Sequence, residues 1–268
     1  MFRQRQVIAI QCDDTQCANA CIHCLLQRLA DQRTVKAEDD DAVGLRCDSL
    51  AQVHAHIQAA CQAAGRAPGS VQLLAVSKTW GADAVRSAHA AGQTAFGENY
   101  IQEAVDKITA LQDLPLQWHC IGPIQSNKTR LVAEHFDWVH SIDRLKIAQR
   151  LSEQRPAHLP PLQVCIQVNV DGGETKSGVV PQDLPALAQA VAALPRLQLR
   201  GLMTIPEPAE TDAQMRAVHR QAKDLLDNLR AQGLALDTLS MGMSADLAAA
   251  IAEGSTMVRV GTAIFGKR

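Results

Sequence analysis

The chain has 268 residues, of which 47% are hydrophobic and only 3% are aromatic, and its 26 Lys and Arg residues nearly balance 28 Asp and Glu residues. This length allows one large domain with a substantial core of Leu, Ala, Val and Ile. The formal net charge of −2 and the scarcity of aromatic rings argue against the basic patches and stacking platforms of nucleic-acid-binding proteins. We therefore expect no nucleic-acid partner.

The sequence also argues against membrane attachment. It contains no apolar run long enough to span a bilayer, and the apolar segment near the N-terminus is too short for a signal peptide. Cys61, Cys120 and Cys165 are scattered in apolar surroundings, which is typical of reduced core residues rather than of a disulfide framework. We expect a cytoplasmic protein.

The first 47 residues differ from the rest of the chain. Their cysteines, at positions 12, 17, 21, 24 and 47, match neither the paired spacing of structural zinc sites nor the common ferredoxin runs. An acidic run from Glu38 to Asp41 then resembles a solvated linker. We predict no metal site and interpret residues 1–47 as a disordered or non-native N-terminal extension, which a start codon assigned too far upstream would produce.

From residue 48 onward, helical and strand patterns alternate regularly. Residues 48–65 predict a first helix whose buried face is formed by Leu50, Val53, Ile57 and Cys61. Further helices are predicted over 82–91, 100–111, 144–154, 182–193 and 212–231. The predicted strands cover residues 71–77, 94–99, 117–122, 137–142, 162–170, 197–203, 238–243 and 257–266.

This alternation predicts the fold. Strands that are apolar on both faces and alternate with helices form parallel sheets, and eight such units close a TIM barrel. We predict an α/β protein with a single (β/α)8 TIM barrel domain over residues 48–268 and an extra N-terminal helix. A doubly wound open sheet is the alternative, disfavoured because no G-x-G-x-x-G turn follows the first strand.

In such a barrel, the residues that follow the strands meet at one rim, where these folds carry their chemistry. Lys78 follows the first predicted strand. Its neutral amine would form a Schiff base with an aldehyde, either with a substrate, as in aldolase-type enzymes, or with pyridoxal 5'-phosphate (PLP). The other predicted rim residues are Asn99, the Gly122–Ser126 turn, Lys176, Met203, residues 240–244 and Gly261.

Two neighbouring segments at this rim favour a phosphate. The run SMGMSADLAAAI (residues 240–251) ends a strand and opens a helix, with Ser244 as its predicted N-cap, so backbone N–H groups would face a bound anion. The next segment offers Gly261 and Thr262, and barrel phosphate sites commonly follow strands seven and eight. For each segment taken singly, a tight turn with ordinary capping is the alternative.

Arg259 is a cation within an apolar strand and therefore needs an acceptor. The ring nitrogen of PLP would be one, and a guanidinium there would keep that nitrogen unprotonated and weaken the ring as an electron sink. A salt bridge to Glu253 or Asp246 is the alternative.

The sequence around these residues resembles that of the pyridoxal phosphate homeostasis proteins, which share the fold-type III barrel of alanine racemase. The resemblance spans about residues 50–268 and rests on the stretches LLAVSKT, FGENYIQEAVDKI, WHCIGPIQSNK, KSG, RGLMTIP and LSMGMSADLAAAIAEGSTMVRVGTAIFG. It implies that Lys78 carries PLP as a Schiff base and that Arg259 faces the ring nitrogen. The residues it assigns to the phosphate are Ser240, Gly261 and Thr262, and those it places along the ring are Asn99 and Met243.

The resemblance also implies a function. Such a protein takes part in intracellular PLP homeostasis by binding PLP, buffering it and delivering it to PLP-requiring apo-enzymes, with little or no catalytic turnover and no catalytic residue. We expect it to be a monomer. Family members commonly follow Ser-Lys-Thr with a basic residue and a nearby proline, whereas this chain has Trp80 and Gly81, which argues against a second lysine beside the site.

A fold-type III PLP-dependent amino-acid racemase or lyase is the alternative function. Such racemases need an acid/base group opposite the lysine, contributed by a second domain across a dimer. The sequence ends at Arg268, directly after the eighth predicted strand. Tyr100, the single tyrosine, stands at a predicted helix start and is interpreted as a packing residue.

Overall fold

The computed structural model describes residues 49–172 and 177–267. The predictions made for residues 1–47 and for Lys176 lie outside these ranges. Within them, no helix has the length and hydropathy needed to span a membrane.

Eight parallel strands form a closed barrel, in which each strand pairs with the next along the chain and β8 returns to pair with β1. The closed ring confirms the predicted (β/α)8 barrel and excludes an open, doubly wound sheet. The strands are β1 (Gln72–Val76), β2 (Ala95–Glu98), β3 (Gln117–Cys120), β4 (Trp138–Ile142), β5 (Leu162–Gln167), β6 (Leu197–Met203), β7 (Thr238–Ser240) and β8 (Met257–Val260).

Helices lie between the strands and cover the barrel. They are α1 (49–63), α2 (Ala82–Ala90), α3 (Ile101–Ala110), α4 (Thr129–His135), α5 (Leu145–Gln154), α6 (Leu184–Ala192), α7 (Asp212–Ala231), α8 (Leu247–Ala252) and α9 (Thr262–Phe265), with a 3-10 turn at Ser126–Lys128. The extra helix α1 buries its predicted face against the main core. The predicted helices are therefore confirmed to within two residues at each end.

The two faces of each strand fill different spaces. Successive side chains of a strand point to opposite sides of the sheet. On β8, Val258 joins the main core beneath the helices, whereas Met257 packs with Leu74 and Ala95 in a separate small group. Arg259 lies within β8 between two main-core positions, so it points into the barrel with Met257. The interior of the barrel thus combines small apolar groups with buried polar side chains.

Several strands end earlier at the rim than predicted, among them β3 at Cys120 rather than at 122 and β5 at Gln167 rather than at 170. β7 ends at Ser240 rather than at 243, and β8 ends at Val260 rather than at 266. Val260 pairs with Ala75 at the end of the register between β8 and β1, so residues beyond it have no neighbouring strand to extend. The apolar run continues instead as α9, which buries Ile264 and Phe265.

Candidate active site

A cavity of about 360 Å³ opens at the carboxyl-terminal rim of the barrel. It brings together seven of the eight predicted site residues, namely Lys78, Asn99, Met243, Ser244, Arg259, Gly261 and Thr262. Val76, Ile121, Ile205 and Ala245 also line it, and sequence reasoning had not singled them out. An adjoining cavity of about 390 Å³ shares Lys78, Gly261 and Thr262 and extends to Trp80 and Lys267.

Lys78 follows β1 in a tight turn. Ser77 before it is fully buried, whereas the Lys78 side chain is exposed at the rim. β1 is thus followed by the buried Ser77 directly before the exposed Lys78. The position expected from the sequence, at the end of the first strand and on a common cavity, is confirmed.

Arg259 forms the buried floor of the cavity and is only 5% exposed. Its Nη1 donates to the carbonyl oxygen and to the hydroxyl of Ser240 at 2.7 and 2.9 Å, and its Nη2 donates to the Thr204 carbonyl at 2.8 Å. Burial lowers the pKa of Arg259 to about 10, a shift that the charge of Asp246 opposes, so the guanidinium is a cation at neutral pH. These bonds use three of its five N–H groups, which leaves Nε and one Nη2 hydrogen for a ligand.

The alternative of a salt bridge at Arg259 is not found in the described part of the chain. Glu253 pairs with Arg220, Nε to Oε2 at 2.9 Å, and Asp246 pairs with His219 at 2.9 Å. Both candidate carboxylates therefore have other partners.

Ser240 does not line the cavity. It is fully buried, and its hydroxyl lies between Arg259 and His140, with His140 Nδ1 at 3.0 Å. His140 Nε2 in turn lies 2.9 Å from Nδ1 of His119, and His119 Nε2 lies 3.0 Å from the Gln117 side-chain oxygen. A network of hydrogen-bonded polar groups therefore runs from the floor of the cavity into the barrel.

Each hydrogen bond in this buried network has a defined donor and acceptor. Burial lowers the pKa of His119 to about 3 and that of His140 well below its ordinary value, so both rings are neutral at pH 7. The Gln117 oxygen only accepts, so His119 carries its proton on Nε2 and accepts on Nδ1 from His140. His140 then accepts on Nδ1 from the Ser240 hydroxyl, whose oxygen remains to accept from Arg259.

The loop between β7 and α8 forms one wall of the cavity. Ser244 was expected as the N-cap of α8, but that helix begins at Leu247 and its N-cap is Asp246. Asp246 accepts from the Met243 amide at 2.7 Å and contacts His219, and these bonds hold the loop in place. Burial opposes ionisation of Asp246, yet the bonds from His219 and Met243 outweigh it and lower the pKa of this carboxyl.

Asn99 has a polar atom without a partner among the described residues. Its Oδ1 is buried and accepts no hydrogen bond, although the residue lines the cavity. A buried acceptor of this kind costs free energy unless a ligand or water satisfies it. It therefore marks a point where a bound molecule would gain a hydrogen bond.

Gly122 fixes the backbone of Asn99. A β-carbon on Gly122 would lie 2.3 Å from the Asn99 carbonyl oxygen and 2.8 Å from its Cα. Because these are backbone atoms, Gly122→Ala is expected to displace Asn99 and to lower the free energy of unfolding by about 1–3 kcal/mol, the usual cost of overpacking. Urea unfolding measures this loss.

Gly81→Ala is the matched control for that substitution. Gly81 has an ordinary φ of −74°, and no atom lies within 4 Å of the position of its β-carbon. Gly81 is the N-cap of α2, where Ala is less favourable than Gly, so we expect this variant to lose less than about 1 kcal/mol and clearly less than Gly122→Ala. Equal stabilities for the two alanine variants would contradict the close approach of Gly122 to Asn99.

Comparison with known proteins identifies the family of this chain. The profile of the family described as "Alanine racemase, N-terminal domain" matches residues 49–268. The Pyridoxal phosphate homeostasis protein of Pseudomonas aeruginosa is 65% identical over 221 residues, which cover 82% of this chain and 95% of that protein. The protein of the same name from Escherichia coli is 56% identical over 223 residues, with the same coverage. The chain belongs to the pyridoxal phosphate homeostasis protein family.

Solved structures of family members have the same barrel. PipY of Synechococcus elongatus, whose structure with PLP bound is known, is 41% identical, with a TM-score of 0.72 over 82% of this chain and 100% of that chain. Its structure without PLP gives a TM-score of 0.74 at 42% identity. Alanine racemase of Corynebacterium glutamicum, at 21% identity and a TM-score of 0.61, shares the fold.

Proposed function

We propose that this protein binds PLP at the rim cavity as a pyridoxal phosphate homeostasis protein, holding it as a Schiff base on Lys78. The observation that carries the proposal is the meeting of the Lys78 amine, the Arg259 guanidinium and the unpartnered Asn99 oxygen around one cavity. The relative from Synechococcus elongatus, whose structure holds PLP, supports it. When bound, PLP would supply an aldehyde for the Lys78 amine and a phosphate for the hydroxyl and backbone N–H groups of the rim loops.

The residues present fit such a ligand. The backbone at Gly261 passes close to the end of β1, since a β-carbon there would lie 3.1 Å from the Val76 carbonyl oxygen. The hydroxyl groups of Thr262 and Ser244 would donate hydrogen bonds to the phosphate, and so would the backbone N–H groups of the rim loops. The role of Ser240 in holding the phosphate stays a prediction, because its hydroxyl contacts His140 and Arg259.

The proposal includes little or no catalytic turnover, with buffering of PLP and its delivery to PLP-requiring apo-enzymes. Arg259 is a cation that donates hydrogen bonds, so the ring nitrogen facing it would stay unprotonated. An unprotonated ring stabilises a developing carbanion poorly, which disfavours racemisation and elimination. Alanine racemisation by the loaded protein should therefore barely exceed that by free PLP, and rapid racemisation would favour the racemase or lyase alternative.

A comparison of PLP with 5-deoxypyridoxal, an analogue that lacks the phosphate and cannot form the internal hemiacetal of pyridoxal, tests the binding site. Both aldehydes can react with an amine, but only PLP can use the phosphate contacts. Because a hydrogen bond to a charged group is worth about 1.5–3 kcal/mol, we expect 5-deoxypyridoxal to bind at least about tenfold more weakly. Absorbance titration at the Schiff-base band measures both affinities, and equal affinities would contradict a phosphate site.

We also propose that residues 1–47 are dispensable for PLP binding, and that the protein acts as a cytoplasmic monomer. The family profile begins at residue 49, and the rim residues of the proposed site all lie beyond it. The same titration on a chain that starts at Asp48 tests the first point. A large loss of affinity on truncation would contradict it.

A further inference from the structure

The two peptide groups that flank Lys78 are both held by one helix. Lys107, on α3, donates from Nζ to the carbonyl oxygen of Ser77 at 2.9 Å. Glu103, one turn earlier, accepts from the backbone N–H of Thr79 at 2.6 Å. The backbone on both sides of Lys78 is thus bonded to α3.

Buried charges stabilise these two contacts from Lys107 and Glu103 to the Lys78 backbone, which we call the clamp. Lys107 is only 5% exposed, and its ammonium contacts the Glu98 carboxylate at 2.5 Å and the Glu103 carboxylate at 2.9 Å. Together with the Ser77 carbonyl, these oxygens can satisfy all three ammonium hydrogens. The Ser77 hydroxyl also donates to Glu98 at 2.6 Å, so the same network fixes the end of β1.

The turn after Lys78 is strained. Thr79 has a φ of 67°, in the left-handed region that β-branched residues avoid. Such a conformation costs about 1–3 kcal/mol and persists only where the surroundings impose it. The turn bond from the Trp80 N–H to the Ser77 carbonyl at 3.1 Å and the bond from the Thr79 amide to Glu103 hold it in this conformation here.

We propose that Glu103 and Lys107 are positioning residues for Lys78, which fix the direction in which its exposed side chain leaves the backbone at the cavity. The inference rests on the proposed function, since it concerns the amine that would bond PLP. The direction in which a lysine side chain leaves the chain is set by its backbone, and here α3 holds the peptide groups before and after Lys78.

Glu103→Ala is the test, because it removes the contact to Thr79 and leaves Lys107 paired with Glu98. We expect the rate of Schiff-base formation with PLP, followed by stopped-flow absorbance, to fall by about tenfold, since small displacements of a reacting group have costs of this size. Glu103→Gln keeps an oxygen that accepts from the Thr79 amide and should stay within about twofold of wild type. Lys107 is left unchanged because its removal would strand the buried Glu98 carboxylate.

Glu134→Ala is the matched control. Glu134 forms an ion pair with Arg130 at 3.6 Å on the surface of α4, with the same spacing of four residues. It should react with PLP at the wild-type rate. A Glu103→Ala rate equal to that of Glu134→Ala, or a Gln variant as slow as the Ala variant, would overturn the proposal.

Hydrogen exchange on the PLP-free protein separates this inference from the proposed function. We expect the Thr79 amide to exchange at least about tenfold faster in Glu103→Ala than in wild type or Glu134→Ala, as lost protection of a bonded amide implies. Unchanged exchange at Thr79 would overturn the clamp whatever PLP does. Faster exchange in a protein that never bonds PLP through Lys78 would support the clamp and contradict the proposed function alone.

Discussion

Lys78→Ala is expected to abolish the covalent attachment of PLP while leaving the barrel folded. The side chain is exposed, and truncating an exposed side chain away from caps and core usually changes stability by less than about 0.5 kcal/mol. Without the amine, PLP can still occupy the cavity through Arg259 and the phosphate contacts, but without a covalent bond. The expected result is complete loss of the Schiff-base band and of borohydride-stable label, with an unchanged melting temperature when both proteins are free of PLP.

Lys267 provides the control for this prediction. It is exposed and lines the adjoining cavity together with Lys78, so it is a second amine near the site. Lys267→Ala should keep the band at full amplitude. If instead Lys78→Ala kept the label and Lys267→Ala lost it, the attachment site would be assigned wrongly.

The two histidines inside the barrel should make the protein sensitive to mild acid. Both are fully buried, and burial lowers the pKa of His119 to about 3 and that of His140 well below its ordinary value. Below about pH 6.5 the unfolded chain binds protons at these positions and the folded chain does not. Their contribution to stability is therefore fully present above pH 6.5 and is lost as the pH falls toward the folded pKa.

The size of this effect can be bounded for His119. Each such ring lowers the free energy of unfolding by up to about 1.4 kcal/mol per pH unit, so His119 alone removes about 2 kcal/mol between pH 7 and pH 5. Urea unfolding at pH 7, 6 and 5 measures the slope. His119→Gln should reduce the slope by about one proton, and the exposed control His54→Gln should not. A wild-type stability that does not change over this range would contradict the neutral, buried pair.

Part of the site could be predicted from the sequence because it lies next to strand ends. Lys78, Asn99 and Gly261 each follow an apolar run, and closing the barrel brings all such positions to one rim. This prediction needs only the position of each strand end and no pairing between residues far apart in the sequence. Some strands, such as β7 and β8, end earlier than their apolar runs, because those runs continue into a rim loop or into α9 rather than along a neighbouring strand.

The contacts that support the site could not be predicted in the same way. His140 and Ser240 are 100 residues apart in sequence, and nothing in the strand sequences WVHSI and TLS indicates which polar side chains meet inside the barrel. Glu103 and Lys107 have the ordinary spacing of a surface ion pair on a helix. Only the packing of α3 against the end of β1 shows that they hold the Lys78 backbone.

The most direct test of the proposed function is peptide mapping of the full-length protein after loading with PLP and reduction with borohydride. Reduction converts the Schiff base into a stable secondary amine, so mass spectrometry identifies the modified lysine. The account predicts one phosphopyridoxyl group per chain, on the peptide that contains Lys78. A label spread over several lysines, or one confined to another lysine, would contradict it.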